Sequence, residues 1–337
     1  MTAGDAHCLR FVSPDMSGDD KARIPRGYRL AATAVAVGLL LYCVSIGAAL
    51  AGEMRTLRLG AVERTYYEHV PAGLKPGAPL VIMLHGAGGS GAFAVQRYRW
   101  QAKADAEGFV VVGPDATPAF ADRPASFASN PRAWNDGSGR GTPHIRDSDD
   151  VGFIAALIDE QARRHGVDRA RVYATGFSSG AGMTQRLGQE LTGRIAAVAP
   201  VAGIMIALVP SLPRPMPVLY VSGDQDPLNP VEGGEIAMPW GGRYPKERLQ
   251  TLMERWRVLN GCKGLPAITT AASLRIQSWT ACRESVEVRY VLIHDHGHEW
   301  PGGERSRLPQ RQVGPNNAGA YDATQEAWSF LRRWRLN

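Results

Sequence analysis

One ten-residue stretch constrains this chain more than any other: Arg171-Val172-Tyr173-Ala174-Thr175-Gly176-Phe177-Ser178-Ser179-Gly180. An apolar run enters Gly-x-Ser-x-Gly, and a helix is expected from Ala181 onward. Strand, sharp turn and helix are the context of a nucleophile elbow. The turn is so tight that Ser178 must take a strained backbone, and Gly176 and Gly180 leave room where a side chain would clash. The Ser178 hydroxyl then stands at the tip of a sheet, above the positive end of the next helix. Taken alone, the pattern also fits an ordinary strand-to-helix turn, so the rest of the chain has to decide.

The surrounding pattern is that of a parallel sheet. Pro79–Leu84 is short and wholly apolar, as a central strand covered on both faces requires. It ends in His85-Gly86-Ala87-Gly88-Gly89-Ser90-Gly91. A helix is expected over 92–107, then a strand over 109–113 ending at Pro114-Asp115. Next comes a loop over 116–146 rich in Pro, Gly, Asn and Ser, and long enough to be functional. Ser148-Asp149-Asp150 opens a helix with a cap and two acids where the dipole favours them, and Gly166 ends it. Further strands are expected at 195–199, 217–222 and 286–293, and further helices at 245–259 and 321–335. Strands alternate with helices, and chemistry-bearing residues gather after the strands. The expected fold is therefore α/β, with the ligand site at the carboxyl ends of the strands.

At the N-terminus, residues 30–51 are apolar and uncharged, preceded by Lys21, Arg23, Arg26 and Arg29 and closed by Ala49-Leu50-Ala51. This reads as a secretory signal peptide with cleavage before Gly52. The rival is an uncleaved anchor, because a run of this length can span a bilayer. Either way the body, 52–337, is expected outside the cytoplasm as one catalytic domain, secreted or periplasmic. A membrane partner is expected only if the segment is retained. Cys8 and Cys43 lie in the leader, which leaves Cys262 and Cys282 in the body. Two cysteines in an oxidising compartment suggest one disulfide; two separate thiols are the other possibility.

Composition excludes little: 44% of residues are hydrophobic and 21% charged, enough for a full core without staples. The formal charge of +6 is spread along the chain with no basic stripe, so a nucleic-acid partner is not expected. After the last expected helix no appended polymer-binding module is expected, an expectation that favours dissolved or oligomeric substrates over solid polymer.

A serine hydroxyl needs a base within hydrogen-bond reach, and the base needs a carboxylate to hold its tautomer. After the strand at 217–222 comes Gly223-Asp224-Gln225-Asp226-Pro227. After the strand at 286–293 comes His294-Asp295-His296-Gly297-His298-Glu299-Trp300-Pro301-Gly302-Gly303. Asp226 is the preferred acid, with Asp224 the alternative; Asp224 otherwise caps a turn. His298 is the preferred base, His294 belonging to the strand end and His296 to the turn. Alternate histidines on an extended chain could also hold a metal. Gly297 breaks that geometry and no complementary Cys/His cluster exists elsewhere, so no metal site is expected. An oxyanion hole needs two backbone N–H groups, expected from Ser179 and from Ala87.

The segments LHGAGGSG (84–91), DDVGFIAALIDE (149–160), VYATGFSSGAGM (172–183), GDQDP (223–227), WRVLNGC (256–262) and GHEWPGG (297–303) together resemble the secreted polyhydroxybutyrate-depolymerase-like and feruloyl-esterase-like family of α/β-hydrolases. The resemblance spans Pro79 to Gly303. It implies an α/β-hydrolase fold, hydrolysis of a carboxylic ester without a cofactor, and a triad of Ser178, Asp226 and His298. Cys262 falls where the family often has a paired cysteine, whereas Ala87 stands where many members carry Cys or Gly. Trp134 and Trp300 are the candidate substrate-binding aromatics; for Trp134, stacking on a phenolic ring and plain core packing weigh equally. The implied partner is a small or oligomeric ester: hydroxyalkanoate oligomers, feruloyl or acetyl esters of plant polysaccharide, or short acyl esters. Acyl transfer to another alcohol is the alternative chemistry, and a non-catalytic binding protein the alternative class.

Overall fold

The computed structural model describes residues 52–206, 208–237, 242–306, 308–317 and 319–337; the signal peptide or anchor expected at 1–51 lies outside the described residues. The described chain opens with an antiparallel hairpin, β1 (Glu53–Leu59) and β2 (Val62–His69), partly exposed as an edge pair is. Then come β3 (Leu80–Leu84) and β4 (Val110–Pro114), buried at every position. A small ribbon, β5 (Thr117–Pro118) with β6 (Arg132–Ala133), gives the long 116–146 loop a structure of its own. The elbow strand β7 (Val172–Phe177) is followed by β8 (Ala197–Val201) and β9 (Val218–Gly223). A second ribbon, β10 (Gly234–Ala237) with β11 (Arg243–Lys246), stands outside the main sheet. β12 (Ala267–Ala271), β13 (Leu274–Trp279) and β14 (Val288–Ile293) complete the strands.

Ten of these form one sheet in the order β1-β2-β4-β3-β7-β8-β9-β14-β13-β12. The run from β4 to β14 is parallel, and antiparallel strands close both edges. β3 shows why its sequence has no polar position. Leu80, Ile82 and Leu84 face one hydrophobic cluster, and Val81 and Met83 face the other. The first cluster is covered by α4 (Asp150–His165), α5 (Ser179–Glu190) and α6 (Leu249–Leu259). The second is covered by α1 (Gly91–Arg97), α2 (Trp100–Glu107) and α8 (Ala323–Leu331). Two short helices, α3 (Pro143–Arg146) and α7 (Gln310–Val313), lie in loops.

Several boundaries differ from the sequence expectation. The helix expected over 92–107 is two, α1 and α2, broken where Arg99 takes φ 63°. The break turns both Tyr98 and Trp100 toward Trp300. The helix expected from 245 begins at Leu249, because Pro245 pairs with Glu235 in the ribbon. The closing helix is shorter, 323–331, started by the Asp322 side chain accepting from Gln325 N–H. Helix α4 is capped by Asp149 rather than Ser148, and Gly166 ends it in the left-handed conformation. The hairpin β12–β13 had no forecast: β12 is exposed at every position, so it has no apolar alternation to reveal it. It lies between Cys262 and Cys282, which form a disulfide. Among the described residues no helix is long and apolar enough to cross a membrane.

Candidate active site

β7, β8, β9 and β14 are consecutive neighbours and run parallel, so the segments leaving β7, β9 and β14 emerge on one edge. Ser178, Asp226 and His298 sit on those segments. Ser178 holds φ 55° and ψ −115°, outside the regions a serine prefers, and its N–H donates to Val201 O at 3.0 Å. The elbow closes because of its glycines: a Cβ on Gly176 would lie 2.4 Å from Gly180 O, and one on Gly180 would lie 2.2 Å from Leu84 O.

His298 Nε2 is 2.8 Å from Ser178 Oγ, and His298 Nδ1 is 2.7 Å from Asp226 Oδ2. An ionised carboxylate can only accept, so Nδ1 carries the ring proton and the Nε2 lone pair faces the serine hydroxyl. The other Asp226 oxygen accepts from Leu228 N–H and Asn229 N–H, both at 2.8 Å. Asp226 is 2% exposed and His298 8%. A buried, fully hydrogen-bonded carboxylate holds the ring in one orientation. Phe177 lies against the imidazole with ring centres 4.8 Å apart, and His298 N–H donates to Val313 O of α7.

The neighbouring candidates point elsewhere. Asp224 accepts from Asp295 N–H at 2.8 Å and pairs with His294 Nδ1 at 2.9 Å, closing the turn between two loops. His296 is buried, its Nε2 3.1 Å from Glu299 O, while its Nδ1 accepts from Asn317 N–H at 3.2 Å. Burial holds its imidazole below the ordinary value. The three histidines of the 294–298 segment therefore have three different partners. Among the described residues no group of three or more His, Cys, Asp or Glu side chains is placed to hold a metal.

The loop after β3 lies beside the serine: a Cβ on Gly86 would be 3.5 Å from Ser178 Cβ. Gly88 N–H donates to Arg132 O at 2.7 Å and Gly89 N–H to Gly86 O at 3.0 Å, while the N–H of Ala87, the residue before them, has no hydrogen bond among the described residues. Ser179 is the first residue of α5, a position whose N–H has no partner within its helix. Neither N–H group has a hydrogen-bond partner among the described residues.

His85 sets the shape of this loop. Its Nε2 accepts from Ala116 N–H at 3.0 Å, so its proton sits on Nδ1 and is donated to Gly86 O at 2.7 Å. Burial pushes the imidazole down to about 4, which keeps it neutral. Both candidate substrate-binding tryptophans are buried, and for Trp134, where stacking and core packing weighed equally, the structure shows packing. Trp134 and Trp300 are each 2% exposed, too little to offer a face. Trp134 Nε1–H donates to His85 O at 2.9 Å, and Trp300 stacks on Tyr98 with centres 4.7 Å apart while donating to Thr324 Oγ1 at 3.0 Å. Three participants escaped the sequence reading: His85 as a brace, Asn229 beneath the acid, and Phe127, an exposed ring lying against Gly88. Only His85 had any signal, its place at a strand end.

The family model described as Esterase PHB depolymerase matches residues 65–235, which include Ser178 and Asp226 and stop short of His298. The bifunctional acetylxylan esterase/xylanase XynS20E of Neocallimastix patriciarum is 23% identical over 280 residues, 81% of this chain and 34% of that protein. The putative esterase NocK of Nocardia uniformis subsp. tsuyamanensis is 31% identical over 269 residues, 71% of each chain. Feruloyl esterase B of Piromyces equi is 32% identical over 174 residues, 50% of this chain and 31% of that one. The chain thus spans about a third of the length of the first and third of these relatives. Among solved structures, an acetyl xylan esterase from Aspergillus awamori superposes with a TM-score of 0.55 at 13% identity, covering 83% of this chain and 99% of that one; it shares the fold.

Proposed function

The chain belongs to the esterase family of PHB depolymerases, and from that premise we propose that it hydrolyses carboxylic esters through an acyl-enzyme on Ser178. The observation that carries this reading is the unbroken hydrogen-bond chain Ser178–His298–Asp226, at 2.8 and 2.7 Å. Ser178 Oγ attacks the ester carbonyl and passes its proton to His298 Nε2. The Asp226 carboxylate holds the Nδ1–H tautomer and stabilises the imidazolium that forms. The carbonyl oxygen, now negative, accepts from the Ala87 and Ser179 N–H groups. His298 returns the proton to the leaving alcohol, then takes one from water as that water releases the acid. Every charge that develops meets a group of this chain, so the reaction needs no cofactor.

The substrate is a small or oligomeric ester. Hydroxyalkanoate oligomers, feruloyl esters and acetyl esters of xylan are the leading classes, because relatives are named poly(3-hydroxyalkanoate) depolymerase, feruloyl esterase and acetylxylan esterase. The disulfide and the apolar, basic-flanked leader support an extracytoplasmic enzyme, tethered to membrane only if that leader is retained. A fluorophosphonate should label Ser178 and leave Ser178→Ala unlabelled. Full p-nitrophenyl acetate turnover by Ser178→Ala would defeat the proposal. A panel of hydroxybutyrate trimer, methyl ferulate and acetylated xylan assigns the class, and added acceptor alcohols reveal any acyl transfer.

A further inference from the structure

The ribbon β10–β11 has no task in the reaction just described. It leaves the chain directly after the acid segment and returns before α6. Its last residue, Lys246, reaches back: Nζ donates to Leu228 O at 2.9 Å and to the Asn229 side-chain oxygen. Asn229 is fully buried. Its side-chain N–H groups donate to Tyr220 Oη at 2.8 Å and Ser222 Oγ at 3.2 Å, while its backbone N–H donates to Asp226 Oδ1. Tyr220 in turn donates to Gly203 O at 2.8 Å. Gly203 packs under the elbow, where a Cβ would lie 2.7 Å from Ser178 O. One continuous set of hydrogen bonds therefore runs from the ribbon, through the acid turn, to the floor beneath the nucleophile.

We propose that Lys246 is a positioning residue of the triad: it clamps the 226–229 turn from outside and sets a positive charge beside the Asp226 carboxylate. The proposal rests on Asp226 being the triad acid. The clamp supplies what the turn lacks locally. Two backbone N–H groups hold one oxygen of Asp226, but the Leu228 carbonyl and the Asn229 amide need a donor from outside the turn, and Lys246 satisfies both. The charged groups facing the ammonium are Asp226 and Asp136, which favour it, and Arg140, which opposes it. Arg140 is itself paired with Asp136 at 2.6 Å. Burial outweighs the acids and draws the ammonium down to about 7. A neutral amine can keep both hydrogen bonds, so what is lost as pH rises through that value is the charge.

The test is steady-state kinetics of Lys246→Met and Lys246→Arg across pH. Lys246→Met should lower kcat about tenfold with little change in KM. It should also move the acidic limb of kcat/KM to higher pH by about half a unit, because a positive charge beside the Asp226–His298 pair is gone. Lys246→Arg, which keeps the charge, should return the limb to its wild-type position. If Lys246→Met does not fold, Lys246→Gln is read in its place with the same expectations. A neutral variant with wild-type kcat and limb overturns the proposal. So does one that loses kcat with the limb unmoved, since that is a structural defect alone. These outcomes are separable from failure of the esterase reading, which would appear as a wild type inactive on every ester or an active Ser178→Ala.

Discussion

Trp134 donates its indole N–H to the backbone carbonyl of His85 at 2.9 Å, tying the middle of the 116–146 loop to the start of the segment that carries Ala87. The bond is buried, and a buried acceptor left unpaired costs about 1–3 kcal/mol. Trp134→Phe should therefore lower stability by about that amount and lower kcat, with KM for aromatic and aliphatic esters unchanged. Thermal unfolding and kinetics on methyl ferulate and p-nitrophenyl acetate check this. A selective rise in KM for the ferulate at wild-type stability would return Trp134 to the substrate-binding role.

His85 makes stability depend on pH. Burial holds its folded-state value at about 4, while in the unfolded chain it titrates near its ordinary 6.5. Below 6.5 the unfolded chain binds a proton that the folded one refuses, so stability is full above that pH and falls down to about 4. The difference allows at most about 3 kcal/mol. Urea midpoints at about pH 7 and about pH 4.5 should show the loss, and His85→Gln should flatten it.

Asp226→Asn should lower kcat by about four orders of magnitude, because an amide can orient the imidazole in the wrong tautomer. Asp224→Asn should stay within a few-fold of wild type, since Asp224 pairs with His294 and not His298. Kinetics of the two variants side by side decide the matter, and the reverse ranking would exchange their roles.

Removing the N–H of residue 87 should be costly to the transition state alone. Ala87→Pro should lose about 2.7–4 kcal/mol of transition-state stabilisation, seen as a drop in kcat of about 10²–10³ with KM little changed. An unaltered circular dichroism spectrum with wild-type kcat would show that the oxyanion is held elsewhere.

The disulfide is expected to matter for stability and not for rate. It closes a loop of sequence separation 20, for which chain entropy gives about 3 kcal/mol. Mild reduction, or Cys262→Ser with Cys282→Ser, should lower the denaturant midpoint by that much. Turnover of the folded fraction should not change, because the loop it closes holds the exposed hairpin β12–β13 and none of Ser178, Asp226 or His298.

Much of the site was legible because its constraints are local. The elbow needs small residues two before and two after the serine, and Gly176 and Gly180 meet backbone oxygens at distances no Cβ tolerates. Wholly apolar runs such as Leu80–Leu84 must be covered on both faces, so they announce a central strand, and the residues just past them fall on one edge. What neighbours in sequence cannot encode is which groups meet. Two acids follow β9 and three histidines follow β14 within a few residues, and only the packing of His296 against Glu299 and Asn317, and of Asp224 against His294, leaves Asp226 facing His298. The same holds for Trp134 and Trp300: an indole reads alike in sequence whether it faces substrate or core, and burial against His85, Tyr98 and Thr324 decided it. Sequence by itself determined the strained turn and the strand ends, because sterics and polarity act between adjacent residues. Sequence order could rank Asp226 and His298 first, but only tertiary structure decided that they meet, and it alone brought in Lys246 at the back of the acid turn, because a hydrogen bond is set by distance and not by chain order.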